Sequence, residues 1–159
     1  MAALDNTDME NEKLTRRERE KLRQREDMLK AAMDLFSEQG YHNVSIQQIA
    51  EKSEFAVGTL YKFFKNKEDL YQSLIRKLSN QSHRRIDAAM DNETTEIEKL
   101  TAYVRTKGLI FTDNAPMIRL YAAETRGASF AIASGMDSVI QKQHKRTLDK
   151  LAAIFESGM

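Results

Sequence analysis

The stretch Ser45-Ile-Gln-Gln-Ile-Ala-Glu-Lys-Ser-Glu-Phe-Ala-Val-Gly-Thr-Leu-Tyr-Lys-Phe-Phe64 holds two short helical patterns on either side of a polar break. Ser45 and Gln48 stand three residues apart, the spacing of a capping box, in which a hydroxyl and a side-chain amide satisfy each other's backbone N–H groups. Ile46, Ile49 and Ala50 then share one face, and the pattern lapses after Lys52. Beyond Ser53 and Glu54 a second helix is expected, with Leu60 and Phe64 four residues apart on its inner side. Gly58, Thr59, Tyr61 and Lys62 are left on its outer side.

Working outward, Leu22, Leu29, Ala32, Met33 and Phe36 recur at helical spacing before Gly40, a residue suited to a left-handed cap, and predict a first long helix. On the other side Asn66 is a good N-cap, and Glu68 and Asp69 suit the positive end of a helix dipole. Leu70, Leu74, Leu78, Ile86 and Met90 then mark a long fourth helix. Thr95 and Glu98 repeat the capping box ahead of Ile97, Leu100, Val104 and Phe111, read as one apolar side. Pro116 restarts the chain for a sixth helix, running to about Thr125. Gly127 separates it from a last helix carrying Met136, Ile140, Leu148, Leu151 and Phe155.

The fold class is therefore all-α, a reading the composition supports: one Pro and six Gly in 159 residues leave few strand-bounding turns. Residues 1–12 are acidic and aperiodic and read as a disordered tail, 13–67 as one domain and 68–159 as a second, helical one. No run approaches the length and apolarity of a membrane span and the start lacks a secretory signal, so a cytoplasmic, non-membrane protein is expected. With no Cys there is no thiolate metal site and no cysteine nucleophile. No cofactor is expected, and no metal, because His42, His83 and His144 have no second ligand at a useful spacing. No hydroxyl nucleophile stands beside a base and no phosphate loop is present, so an enzyme is not expected.

Charge is informative once divided along the chain. The whole carries a net +1, yet residues 13–67 hold twelve Lys/Arg against eight Asp/Glu. A basic first third, two short helices and a tight turn are what a helix-turn-helix reader of double-stranded DNA requires. Gly58 lets backbone approach a phosphate, while Thr59, Tyr61, Lys62 and Lys65 offer hydroxyl and cationic donors. The helix starts behind Ser45, and behind Asn66 and Lys67, can each receive a phosphate.

These segments closely resemble the tetracycline-repressor (TetR) family. The resemblance rests on Ala31-Ala-Met-Asp-Leu-Phe-Ser-Glu-Gln-Gly-Tyr41, Ser45 to Ala50, Gly58-Thr-Leu-Tyr-Lys-Phe-Phe64 and Lys67-Glu-Asp-Leu70. It implies a ligand-responsive repressor acting as a homodimer on a DNA operator, with the third helices entering major grooves roughly 34 Å apart. It also implies phosphate contacts from Ser45, Thr59, Tyr61 and Lys67, and base contacts from Ala56, Val57 and Lys62. Three positions depart from the usual pattern: Glu54 replaces a common turn Gly, Ala56 a common Ser, and Val57 a frequent Lys or Arg. Ala56 and Val57 cannot donate a hydrogen bond, and apolar contact with thymine methyl groups is the expectation.

For other residues two readings stand side by side. Tyr61 either packs or meets a phosphate, and the basic stretch Lys13 to Arg25 is either a solvated helix end or an arm along DNA. Tyr103, Phe111, Met117, Tyr121, Phe130, Met136 and His144 are core or interface residues first, and candidate lining for an apolar or cationic small-molecule effector second. The chain stops at Glu156-Ser-Gly-Met159, where family members usually add two helices that build the dimer interface, so a shortened second domain with apolar surface at Met136, Ile140, Leu151 and Phe155 is expected. The alternative to a DNA reader is a helical module that binds a protein partner, which salt dependence would distinguish.

Overall fold

The computed structural model describes residues 14–126 and 138–157, with the side chains of 121–126 and 138–141 left out of the description. Among the described residues there are helices only: α1 (Arg16–Gln39), α2 (Ile46–Lys52), α3 (Val57–Phe63), α4 (Lys67–Asp91), α5 (Glu96–Asp113), α6 (Ala115–Arg126) and α7 (Ser138–Ser157). The caps explain most boundaries. Ser45 and Gln48 form the expected capping box on α2, Thr95 and Glu98 the one on α5, and Asn66 accepts from the Asp69 amide at the start of α4. Thr15 and Glu18, likewise three residues apart, form a further box on α1. Gly40 closes α1 with φ +81° and ψ 159°, a positive-φ extended conformation open to glycine, and not the left-handed helical cap anticipated. Pro116 stands in the first turn of α6.

The first core gathers Met28, Leu29, Ala32, Leu35 and Phe36 of α1, Ile46, Ile49 and Ala50 of α2, Leu60 of α3, and Leu70, Tyr71 and Leu74 of α4. Phe36, Tyr41 and Tyr71 form an aromatic cluster within it, with ring centroids 5.0–5.7 Å apart. Met117 of α6, 4% exposed, is buried in this same core, so the sixth helix caps the first three. Leu22, grouped by spacing with this apolar face, is 47% exposed, because α1 begins to bury side chains fully only at Met28.

A second, smaller core holds Ile86 and Met90 of α4, Ile110 of α5 and Ile154 of α7, with Leu100, Tyr103 and Leu151 against it. The apolar side assigned to α5 is corrected here. Leu100, Tyr103 and Ile110 face α4 and α7, whereas Ile97, Val104 and Phe111 repeat every seven residues on a face turned outward. Helix α7 behaves likewise: Thr147, Leu151 and Ile154 turn inward, and Leu148 and Phe155 turn out. Its register on α4 is set by polar pairs. Gln143 meets Ser79 and Asn80, and Lys150 bridges Asp87 at 3.2 Å and Asp91 at 2.7 Å. Partial burial works against the charge on Lys150, but the bonds from Asp91 and Asp87 outweigh it and hold the ammonium above its ordinary pKa. Among the described residues no helix is long and apolar enough to cross a membrane.

Candidate nucleic-acid interface

The two short helices and the turn between them take their shape from backbone hydrogen bonds. The Phe55 amide donates to the Ala50 carbonyl at 2.9 Å, and the Glu54 amide to the Glu51 carbonyl at 3.1 Å. This is the double bond pattern of a Schellman turn, which requires a left-handed residue, and Glu54 supplies it at φ +59°. The departure from the usual turn Gly is thus a real conformational cost, since a Cβ is disfavoured at positive φ. Ala56 follows as an N-cap without a side-chain acceptor, and α3 begins at Val57.

Helix α3 divides its residues sharply. Leu60 is buried and so is Phe64, while Tyr61 is 53% exposed and Ala56, Gly58, Lys62 and Lys65 are exposed. A Cβ built on Gly58 would meet nothing within 4 Å, so glycine is not required there by the protein's own packing. Thr59 is half-buried, and Val57 is half-buried and packed against the first core, which leaves less of it to reach a base edge than its sequence position suggested.

At the flanks, Ser45 is half-buried with its hydroxyl committed to Gln48, which it meets at 3.0 Å through Oε1 and 3.2 Å through the amide. Lys67 differs from expectation. Its ammonium donates to the carbonyls of Tyr41 and Val44, both at 2.9 Å, and lies 4.3 Å from the Tyr41 ring centroid. It fastens the α1–α2 connection to the start of α4. The Lys65 amide is likewise bonded to the Asp69 carboxylate at 2.8 Å.

A second wall faces α3. Arg16, Arg17, Glu18, Glu20, Lys21 and Gln24 of α1 line a groove of about 850 Å³ together with Thr59, Lys62 and Phe63. The charge of Lys13 to Arg25 by itself fits either a solvated helix end or an arm along DNA. That this stretch shares a groove with α3 depends on the angle between two helices distant in sequence.

Of the proposed effector residues, the four whose side chains are described do not gather at one site. Met117 belongs to the first core, Phe111 is 52% exposed, His144 is exposed, and Tyr103 lies against the second core with its hydroxyl 2.9 Å from Lys107 Nζ. Phe111 and His144 are thus not core residues of this chain, because α5 and α7 turn neighbouring faces inward. Phe130 and Met136, like Gly127, Gly135 and the tail 1–12, lie outside the described residues, as does the side chain of Tyr121.

Residues 28–74, which span this head, match the family model described as bacterial regulatory proteins, tetR family. The HTH-type transcriptional regulator YhgD of Bacillus subtilis is 32% identical over 142 residues, covering 83% of this chain and 67% of that protein. The chain belongs to the tetR family. The fatty acid metabolism regulator protein of Bacillus subtilis is 34% identical over 77 residues, 48% of this chain and 40% of that one. Among solved structures, the transcriptional regulator FadR from Bacillus subtilis in complex with stearoyl-CoA superposes with a TM-score of 0.72 at 26% identity, covering 83% of this chain and 71% of that one. This tetR-family chain spans between a third and about half of the first curated relatives it matches. These relatives are named as regulators.

Proposed function

We propose that this protein is a sequence-specific DNA-binding transcriptional repressor, acting in the cytoplasm as a homodimer and released from its operator by a small-molecule effector. The observation that carries the reading is α3: it buries Leu60, presents Tyr61 and Lys62 to solvent, and leaves open space above Gly58. A helix kept slim and polar on its outer side suits close approach to a phosphate backbone and to base edges. Residues 13–67 would form the DNA-binding unit and 68–159 the regulatory one.

Within this reading Thr59, Tyr61, Lys62 and Lys65 meet phosphates or base edges, Ala56 and the exposed part of Val57 meet thymine methyl groups, and Ser45 and Lys67 act mainly by holding helix starts in place. Exposed Ile97, Val104 and Phe111 on α5, with Leu148 and Phe155 on α7, give the regulatory half apolar surface from which a dimer interface and an effector site can be built. An apolar, acyl-type effector is the class we infer, since FadR from Bacillus subtilis is seen in complex with stearoyl-CoA.

The experiment is fluorescence anisotropy with DNA from upstream of the protein's own gene against unrelated competitor DNA, at several salt concentrations. Saturable binding that survives competitor and weakens with salt is expected. Equal affinity for all sequences would overturn the reading, and salt-insensitive capture of a protein in place of DNA would favour an interaction module.

A further inference from the structure

The residues from Thr15 to Arg23 are exposed without exception, and the eight of them that lie in α1 carry the helix about 12 Å beyond its packed part at 1.5 Å per residue. Arg16 and Arg17 occupy the first turn, where the positive end of the helix dipole disfavours cations. The acids among them are engaged: Glu18 accepts from the Thr15 amide at 2.8 Å and its hydroxyl at 2.7 Å, and Glu20 accepts from Gln24 at 3.4 Å. The capping bonds to Thr15 hold the Glu18 carboxyl below its ordinary pKa, so it stays ionised at the cap. Arg19 bonds the Leu14 carbonyl at 2.9 Å, and Arg23 lies 4.0 Å from Asp27. Arg16, Arg17, Lys21 and Lys62 have no ion-pair or hydrogen-bond partner among the described residues, and all four line the groove beside Thr59; Glu18 and Glu20 line it too, so four cations stand there against two engaged acids. Arg17 and Lys21 stand one turn apart on the same side of α1.

A capped, solvent-surrounded helical arm with unpaired cations against its own dipole stores an unfavourable arrangement that an anion would relieve. We propose that the groove between α1 and α3 receives one sugar–phosphate strand of duplex DNA, with Arg16, Arg17 and Lys21 on its outer side and Thr59 and Lys62 on its inner side. The arm thereby extends the footprint beyond the groove that α3 enters, adding affinity without reading sequence. This rests on the reading of α3 as the DNA-facing helix.

The test is a salt titration of binding to a mixed-sequence duplex, and to DNA from upstream of the protein's own gene, by the unaltered chain, by the triple variant Arg16→Ala/Arg17→Ala/Lys21→Ala, and by the control Lys142→Ala/Lys145→Ala on α7. All five side chains are exposed except for their groove contacts, so helicity should persist and is checked by circular dichroism. Loss of three phosphate contacts should make the slope of log K against log salt shallower by about 2.7, at about 0.9 per phosphate, while the operator-to-competitor ratio stays constant. An unchanged slope in the triple variant, or an equal change in the control, overturns the inference. A steep slope that depends on the arm but comes with no operator preference overturns the reading of the protein as a sequence-specific regulator and leaves the arm in place. No binding of any duplex by the unaltered chain overturns both.

Discussion

The amide of Phe55 reaches the carbonyl of Ala50 at 2.9 Å, and this bond closes the turn between α2 and α3 with Glu54 held at φ +59° beneath it. The turn geometry is set by the need to bury Ile49 and Leu60 in one core, so the backbone conformation is imposed on whatever residue stands at position 54. Glu54→Gly should therefore raise stability by roughly 0.5–1 kcal/mol, the relief of positive φ less the entropy glycine adds to the unfolded chain. Glu54→Ala keeps the Cβ and should stay within about 0.5 kcal/mol of the parent. Urea unfolding of the two variants distinguishes them, and equal midpoints would sink the argument. Removing an acid beside α3 should also tighten DNA binding, more so at low salt.

Lys67 provides a second prediction. Its ammonium links two loop carbonyls and the Tyr41 ring, so Lys67→Met should cost about 1–3 kcal/mol through the lost charged hydrogen bonds. A residue serving DNA alone would leave the urea midpoint where it was.

Gly58 should separate stability from binding. Nothing lies within 4 Å of a Cβ placed there, so Gly58→Ala, in the first turn of α3, should stabilise the isolated protein by up to about 0.5 kcal/mol, less than the same change in a helix interior. The same methyl should weaken operator binding if a phosphate strand passes close to α3. Parallel changes in both quantities would contradict this account.

Met117 and Phe111, grouped together by sequence, should behave as opposites. Met117→Ala empties part of the first core and should cost about 2–4 kcal/mol, whereas exposed Phe111→Ala should cost less than about 0.5 kcal/mol in the monomeric unit. Thermal unfolding at low protein concentration measures both. A concentration-dependent loss at Phe111 would place that side chain in an interface between copies.

The Glu98 carboxyl titrates below its ordinary value, chiefly because the Thr95 hydroxyl and then the Thr95 amide donate to it. A lowered folded pKa means that the contribution is present above the unfolded carboxylate pKa and is lost as pH falls through the folded one. Thr95→Ala should move the Glu98 midpoint upward in an NMR titration, and an unmoved midpoint would show the hydroxyl to be uninvolved. Lys150 has the opposite sign: its raised folded pKa keeps its contribution intact at neutral pH and loses it only in strong alkali.

Local chemistry was legible throughout. Ser45 with Gln48, Asn66 and Thr95 with Glu98 announced three helix starts, because capping is a bond between residues three apart and needs no tertiary partner. The outward character of Tyr61 and Lys62 followed in the same way from the inward pair Leu60, on the seven-residue α3, and Phe64, its extended C-cap. What the sequence determined by itself is thus the all-helical class and the helix-turn-helix head, both carried by short-range spacing, and the family, carried by the resemblance of its motifs. Only the tertiary structure decided that Lys67 fastens a loop, that Met117 seals the first core, that Ile97, Val104 and Phe111 turn away from the second, and that Arg16, Arg17 and Lys21 share a groove with Thr59 and Lys62. Each of these depends on the angle and rotation at which helices distant in sequence pack, and several faces of α5 and α7 are apolar enough that periodicity alone cannot choose between them.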